Sequence, residues 1–201
     1  MKYNNTILSA LVAAVLVSGA GCGGTTPSRH YTLSTVRNVT GDQQRDTAFS
    51  FAIGIRTLKL PEYLLRQQLV KRSGNTIVIH EFDRWGESLD ANFKRVLLED
   101  LSADIPTNNI FLFPARDSSV VNYQLLLEVS EFEYVDGEVV LSVRWGVEKG
   151  ESISFLMDKR SSFRERSGES FSEIVAVMSR LIGKLSREIA DEVRGRVLSG
   201  R

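Results

Sequence analysis

The apolar positions of this chain follow two periods. From Tyr123 onward they alternate: Tyr123, Leu125, Leu127 and Val129 share one side of an extended segment. Asp136–Gly137 then predicts a two-residue hairpin turn, and Val139, Leu141, Val143, Trp145 and Val147 line the returning strand. A second turn at Lys149–Gly150 leads into Ile153, Phe155 and Met157, which continue the meander. After Ser170 the period changes. Phe171, Ile174, Val175, Met178, Leu181, Ile182, Leu185 and Ile189 mark one helical face to about Val193, and Ser170 with Glu173 forms a capping box at its start. Packing on a sheet is the expected role of that stripe.

The first half gives shorter elements. His30–Thr35 and Phe49–Leu58 read as strands, separated by the polar stretch Arg37–Asp46. Pro61 opens a short helical turn carrying Tyr63, Leu64 and Leu65, and Leu69–Lys71 returns to extended chain. Ser73–Gly74–Asn75 turns into the strand "TIVIHEF". Leu89, Phe93, Val96, Leu97 and Leu101 place a helix near Ser88–Ser102, and Ile110–Phe113 is a short strand closed by Pro114. The fold class expected is α/β (α+β): a single domain over residues 30–201, with a mixed, mainly antiparallel sheet packed by two principal helices.

The N-terminus matches two patterns. Gly19, Gly21 and Gly24 spell the glycine fingerprint of a dinucleotide-binding turn. That turn needs a helix behind it to hold the pyrophosphate, and Thr25–Leu33 has no helical period and contains Pro27. A lipoprotein signal accounts for more residues. Lys2 is the positive start, Ile7–Val17 is the apolar run, and small residues precede Cys22, the sole cysteine. The run is shorter than the roughly 20 residues that span a bilayer. Residues 1–21 are therefore expected to be a signal peptide and residues 22–29 a lipidated tether. The departure from pattern is Gly19, where an aliphatic residue is usual.

A lipidated Cys22, carrying fatty acyl chains such as palmitate, would hold the domain durably on a membrane. No Asp follows the cysteine, which favours an outer-membrane address facing the periplasm. The nine residues from Cys22 to Tyr31 reach at most ~32 Å, so the domain should lie close to that membrane. Charge adds little. The chain has 25 basic and 25 acidic residues, which gives no global attraction to nucleic acid.

Candidate chemistry is sparse. His30 and His80 are the only histidines, so no histidine pair has metal-ligand spacing, and no cofactor is expected beyond the lipid on Cys22. Asp83 near His80 permits a Ser–His–Asp arrangement on paper, but the strained serine elbow is missing. Glu131 and Glu133 share one strand face, where a solvated role is expected beside a hairpin tip. An enzyme is not expected.

Two stretches carry a resemblance. "LPEYLLRQQLV" (Leu60–Val70) followed by "HEFDRWGESLDANFKRVLLEDL" (His80–Leu101) resembles the PqiC family of auxiliary lipoproteins. Leu60, Pro61, Tyr63, Leu64, Arg66, Gln68 and Val70 match the first motif; Glu81, Phe82, Arg84, Trp85, Glu87 and Leu89 match the second. Gln67 and Leu69 depart from the usual proline and isoleucine, and Gln67 should loosen the chain entering the strand. The strand with Arg144 and Trp145 is also similar. The resemblance implies a non-catalytic outer-membrane subunit of an envelope lipid-transport system. Its implied partner is a periplasm-spanning MCE-domain protein, on which it docks as an oligomeric ring.

Tyr63, Arg66, Phe82, Arg84 and Trp85 are the candidate partner or oligomer contacts. For Phe82 and Trp85 the alternative is packing under the following helix, with Arg84 paired to a nearby acid. A stand-alone lipid-binding lipoprotein, an auxiliary subunit of another ABC or MCE transporter, and a hydrolase using His80 are the competing functions.

Overall fold

In a computed structural model, residues 26–37, 51–105, 107, 109–114, 121–150 and 155–198 are described. The expected lipoprotein signal, Cys22 and the first part of the expected tether lie outside them. Ten regular elements follow in chain order. They are β1 (Arg29–Tyr31), β2 (Ile53–Lys59), β3 (Gln68–Ser73), β4 (Thr76–Trp85), α1 (Leu89–Asp104), β5 (Ile110–Leu112), β6 (Tyr123–Val135), β7 (Glu138–Lys149), β8 (Phe155–Arg166) and α2 (Phe171–Val193). A single 3-10 turn, Glu62–Leu64, precedes β3.

The strands form one mixed eight-stranded sheet. Its backbone is the antiparallel meander β6–β7–β8, whose two ladders run almost the full length of each strand. Asp136 and Gly137 both have positive φ (47° and 94°), as the expected primed turn requires. The other edge of β6 is divided. β2 pairs in parallel along Tyr123–Glu128, and β3 pairs in parallel at Tyr134 and Val135. A register shift between Val129 and Glu131 separates the two contacts. β4 pairs antiparallel with β3, β1 lies parallel to the end of β4, and β5 lies beyond β2. The mixed sheet and two helices agree with the fold class expected. The parallel ladders are short, while the long ones are antiparallel.

Both helices cover the same face. Leu125, Leu127, Val129, Leu141, Val143, Trp145 and Val147 point into that core with the whole apolar stripe of α2, all buried. At about 1.5–3 kcal/mol for each large side chain, this stripe is what holds α2 on the sheet. Ser170 Oγ accepts from the Glu173 amide at 3.3 Å, the expected N-cap contact.

β1 is shorter than expected. Residues 32–37 leave the sheet and run as a strap over the helices. The Leu33 amide donates to Asn92 Oδ1 (3.1 Å) and the Ser34 amide to Ser179 Oγ (3.2 Å). Further along, Thr35 Oγ1 donates to Asp100 and the Arg37 guanidinium to Asp104 (2.6 Å). Polar side chains buried between α1 and α2 thus take the backbone groups that a longer strand would have paired.

Candidate docking site

The two motif stretches meet at the β3–β4 hairpin. In the 3-10 turn, the Leu64 amide donates to the Pro61 carbonyl and the Leu65 amide to that of Glu62. This buries Leu64 and exposes Leu65. Arg66 Nε returns to the Tyr63 carbonyl at 3.0 Å and closes the turn. The Tyr63 phenol faces Glu133; burial first, then the hydrogen bond and charge of that carboxylate, push its pKa up. Arg72 lies between the acids, 2.5 Å from Glu131 Oε1 and 2.6 Å from Glu133 Oε1.

Glu133 therefore departs from the solvated role expected of it. It shares a strand face with Glu131, but its side chain is only 1% exposed because β3 brings Arg72 over it. One arginine serving two carboxylates is a structural arrangement, and it fixes the end of β3 to β6.

The hairpin carries a large bulge. Gln68 pairs with Arg84, but the next residue, Leu69, pairs with His80. Glu81, Phe82 and Asp83 therefore arch away from β3, and a bulge of this kind re-aims side chains. Phe82 turns outward and is 49% exposed, whereas Asp83 turns inward and is buried. Asp83 accepts from the Tyr31 hydroxyl at 2.8 Å and from Arg29 Nη2 at 3.2 Å, tying β1 to β4. Nothing in the local sequence distinguished Asp83 for this task. Its one available signal was an acid between two residues of an aromatic motif.

The five candidate contacts separate. Trp85 is 7% exposed and belongs to the core, as the packing alternative has it. Phe82 does not pack under the helix, because the bulge carries it outward. Arg84 is half-buried and its Nε donates to the Glu81 carbonyl at 3.1 Å, where a carboxylate partner was the alternative considered. Tyr63 and Arg66 brace the turn. Gln67 uses its carbonyl, which accepts from the Trp85 amide at 2.7 Å. A proline at that position would offer the same group.

Three other apolar side chains of these stretches are exposed: Leu65 beside the turn, and Val78 and Ile79 on opposite faces of β4. β1 covers only Asp83–Trp85, so the outer edge of β4 from Thr76 to Phe82 has no strand against it among the described residues. An apolar strand with an open edge is a ready surface for a partner.

The catalytic alternative finds no such assembly. His80 stacks edge-on against Phe171 (centroids 4.7 Å apart), and burial, then Lys71, lower its pKa. Asp83 is engaged by Tyr31 and Arg29. Among the described residues no cluster of His, Cys, Asp or Glu could hold a metal, and no helix is long and apolar enough to cross a membrane.

The family model of the ABC-type transport auxiliary lipoprotein component matches residues 31–190. The chain belongs to that family. The match takes in both motif stretches, the meander and nearly all of α2. No curated protein matches the chain. Among solved structures, an uncharacterized protein aligns with a TM-score of 0.68 at 19% identity, over 84% of this chain and 99% of the other. Protein XCC0632 from Xanthomonas campestris, of family DUF330, aligns with a TM-score of 0.65 at 9% identity, over 81% of this chain and 93% of its own. At such identities these likenesses speak for the fold. The family is one of transport auxiliary lipoproteins, not a known enzyme family.

Proposed function

We propose that this auxiliary lipoprotein is a non-catalytic subunit of an MCE-type intermembrane lipid-transport system. Cys22 carries the lipid that anchors it in the outer membrane, and the domain docks on the periplasm-spanning conduit, as one copy in an oligomeric ring. The observation that carries the docking reading is the open apolar edge of β4, with Phe82 aimed outward by the bulge. Exposed aromatic side chains are common anchors of such contacts.

The stand-alone lipid carrier gains no support from the core. The void lined by Leu64, Trp85, Phe132, Phe171 and Met178, between hairpin and helices, measures about 10 Å³. Ligand pockets run from roughly 300 to 1,000 Å³.

The test is affinity purification of the C-terminally tagged full chain from native envelopes in mild detergent. An MCE-domain protein should co-purify at near-stoichiometric yield with wild type and be lost with Phe82→Asp. Recovery of the lipoprotein alone would overturn the transport reading. Undiminished recovery of the partner with Phe82→Asp would overturn the docking site.

A further inference from the structure

A second surface, remote in sequence from the hairpin, gathers positive charge. Arg180, Lys184 and Arg187 recur at helical spacing on the outer flank of α2, and the strap brings Val36 and Arg37 beside them. Together these five side chains line a recess of about 230 Å³. Gly183 lies under the strap: a Cβ there would lie 2.5 Å from Val36 Cγ2, so a larger residue would make the Val36 side chain shift.

The local charges do not balance. Arg180 and Lys184 share a single carboxylate, Glu165, at 2.6 and 2.8 Å. Arg37 is paired with Asp104, and its Nε is shielded from solvent without a hydrogen bond among the described residues. Arg187 meets no carboxylate among the described residues; its Nε donates to the Gly183 carbonyl at 3.2 Å. Asp100, behind the strap, adds a third carboxylate, whose pKa burial raises. Four cations therefore face three carboxylates, and Arg187 is the one with no carboxylate against it among the described residues, a guanidinium whose planar donors match phosphate oxygens. At about 30 Å³ per water, the recess has room for several waters or for one phosphate with a small substituent. Val36, 41% exposed, gives it an apolar rim.

We propose that this recess binds a phosphate group, either as a free anion or on a lipid headgroup. The assignment stands apart from the docking reading, because it concerns another face and needs no partner protein.

The test is calorimetric titration of the purified full chain in nonionic detergent. The probes are inorganic phosphate, dioctanoyl phosphatidylglycerol and dioctanoyl phosphatidylcholine. Lys184→Gln with Arg187→Gln should weaken binding at least tenfold. Arg164→Gln with Arg166→Gln removes equal charge from β8 and should leave binding unchanged. Saturable binding of inorganic phosphate names the free anion as sufficient. Binding of phosphatidylglycerol without inorganic phosphate names the headgroup. No saturable binding by any probe, or an equal loss in both double variants, overturns the proposal. Arg187→Gln alone, at an exposed position, repeats the test should the first pair fail to fold.

Discussion

The indole Nε1 of Trp145 donates to Ser161 Oγ at 2.9 Å within the core. Ser161 in turn donates to Glu188 Oε1 on α2, also at 2.9 Å, so one hydroxyl joins β7, β8 and the terminal helix. The tryptophan of the Arg144–Trp145 pair is thus a packing residue with its polar atom satisfied. Its neighbour Arg144 faces the open side of the sheet and pairs with Asp158.

Ser161→Ala should leave the Trp145 N–H buried without an acceptor. An unsatisfied buried donor costs about 1–3 kcal/mol. The urea midpoint should fall accordingly with an unchanged slope, and Trp emission should report the same transition. A shift under a few tenths of a kcal/mol would mean that another acceptor replaces the hydroxyl.

Two aromatics three residues apart should behave oppositely. Phe82→Ser lies on an exposed position, where substitutions usually stay within about 0.5 kcal/mol of wild type. Trp85→Ala empties a core site at about 3–5 kcal/mol. Chemical denaturation of both variants checks the pair, and equal losses would contradict the bulge geometry.

Arg72→Met should be more harmful than its half-buried position suggests. It leaves Glu131 and the buried Glu133 facing each other without their shared cation. Removing one partner of a buried pair costs about 3–5 kcal/mol. Chemical denaturation at pH 7 against wild type checks this, and the double variant Arg72→Met with Glu133→Gln should recover part of the loss. A double variant as unstable as Arg72→Met would argue that the cost lies in packing.

Asp100 gives the strap a pH dependence. Burial raises its pKa, against the Thr35 hydrogen bond and the Arg37 charge, while Asp104 and Glu99 add to the rise. A carboxyl that ionises at about 3.9 when unfolded and higher when folded binds more protons in the native state between those values. Its contribution to stability is therefore most favourable below the unfolded value and falls as pH rises to the folded one. Asp100→Asn should remove that slope and be at least as stable as wild type at pH 7. Denaturation midpoints between pH 4 and pH 7 would show this. An unchanged slope would assign it to other carboxylates.

The site was only partly legible in the sequence. The motif stretches pointed to the β3–β4 hairpin, because a proline-initiated turn and an aromatic strand are local features. Which aromatic is buried was not legible, because alternation along β4 breaks where three residues bulge. The solvated role given to Glu133 failed for a similar reason. Its partner Arg72 lies 61 residues away and meets it only through the parallel contact of β3 with β6.

Local pattern alone determined the capped and one-sided α2, the primed turn at Asp136–Gly137 and the alternating strands around it. These depend on neighbours within a few residues, where the helical or strand period states which face is apolar. Tertiary structure alone decided that Phe82 faces out and Asp83 in, that the strap lies on the helices, and that four cations gather around Val36. Each of these rests on register or on polar capture between distant segments, and no local period records either.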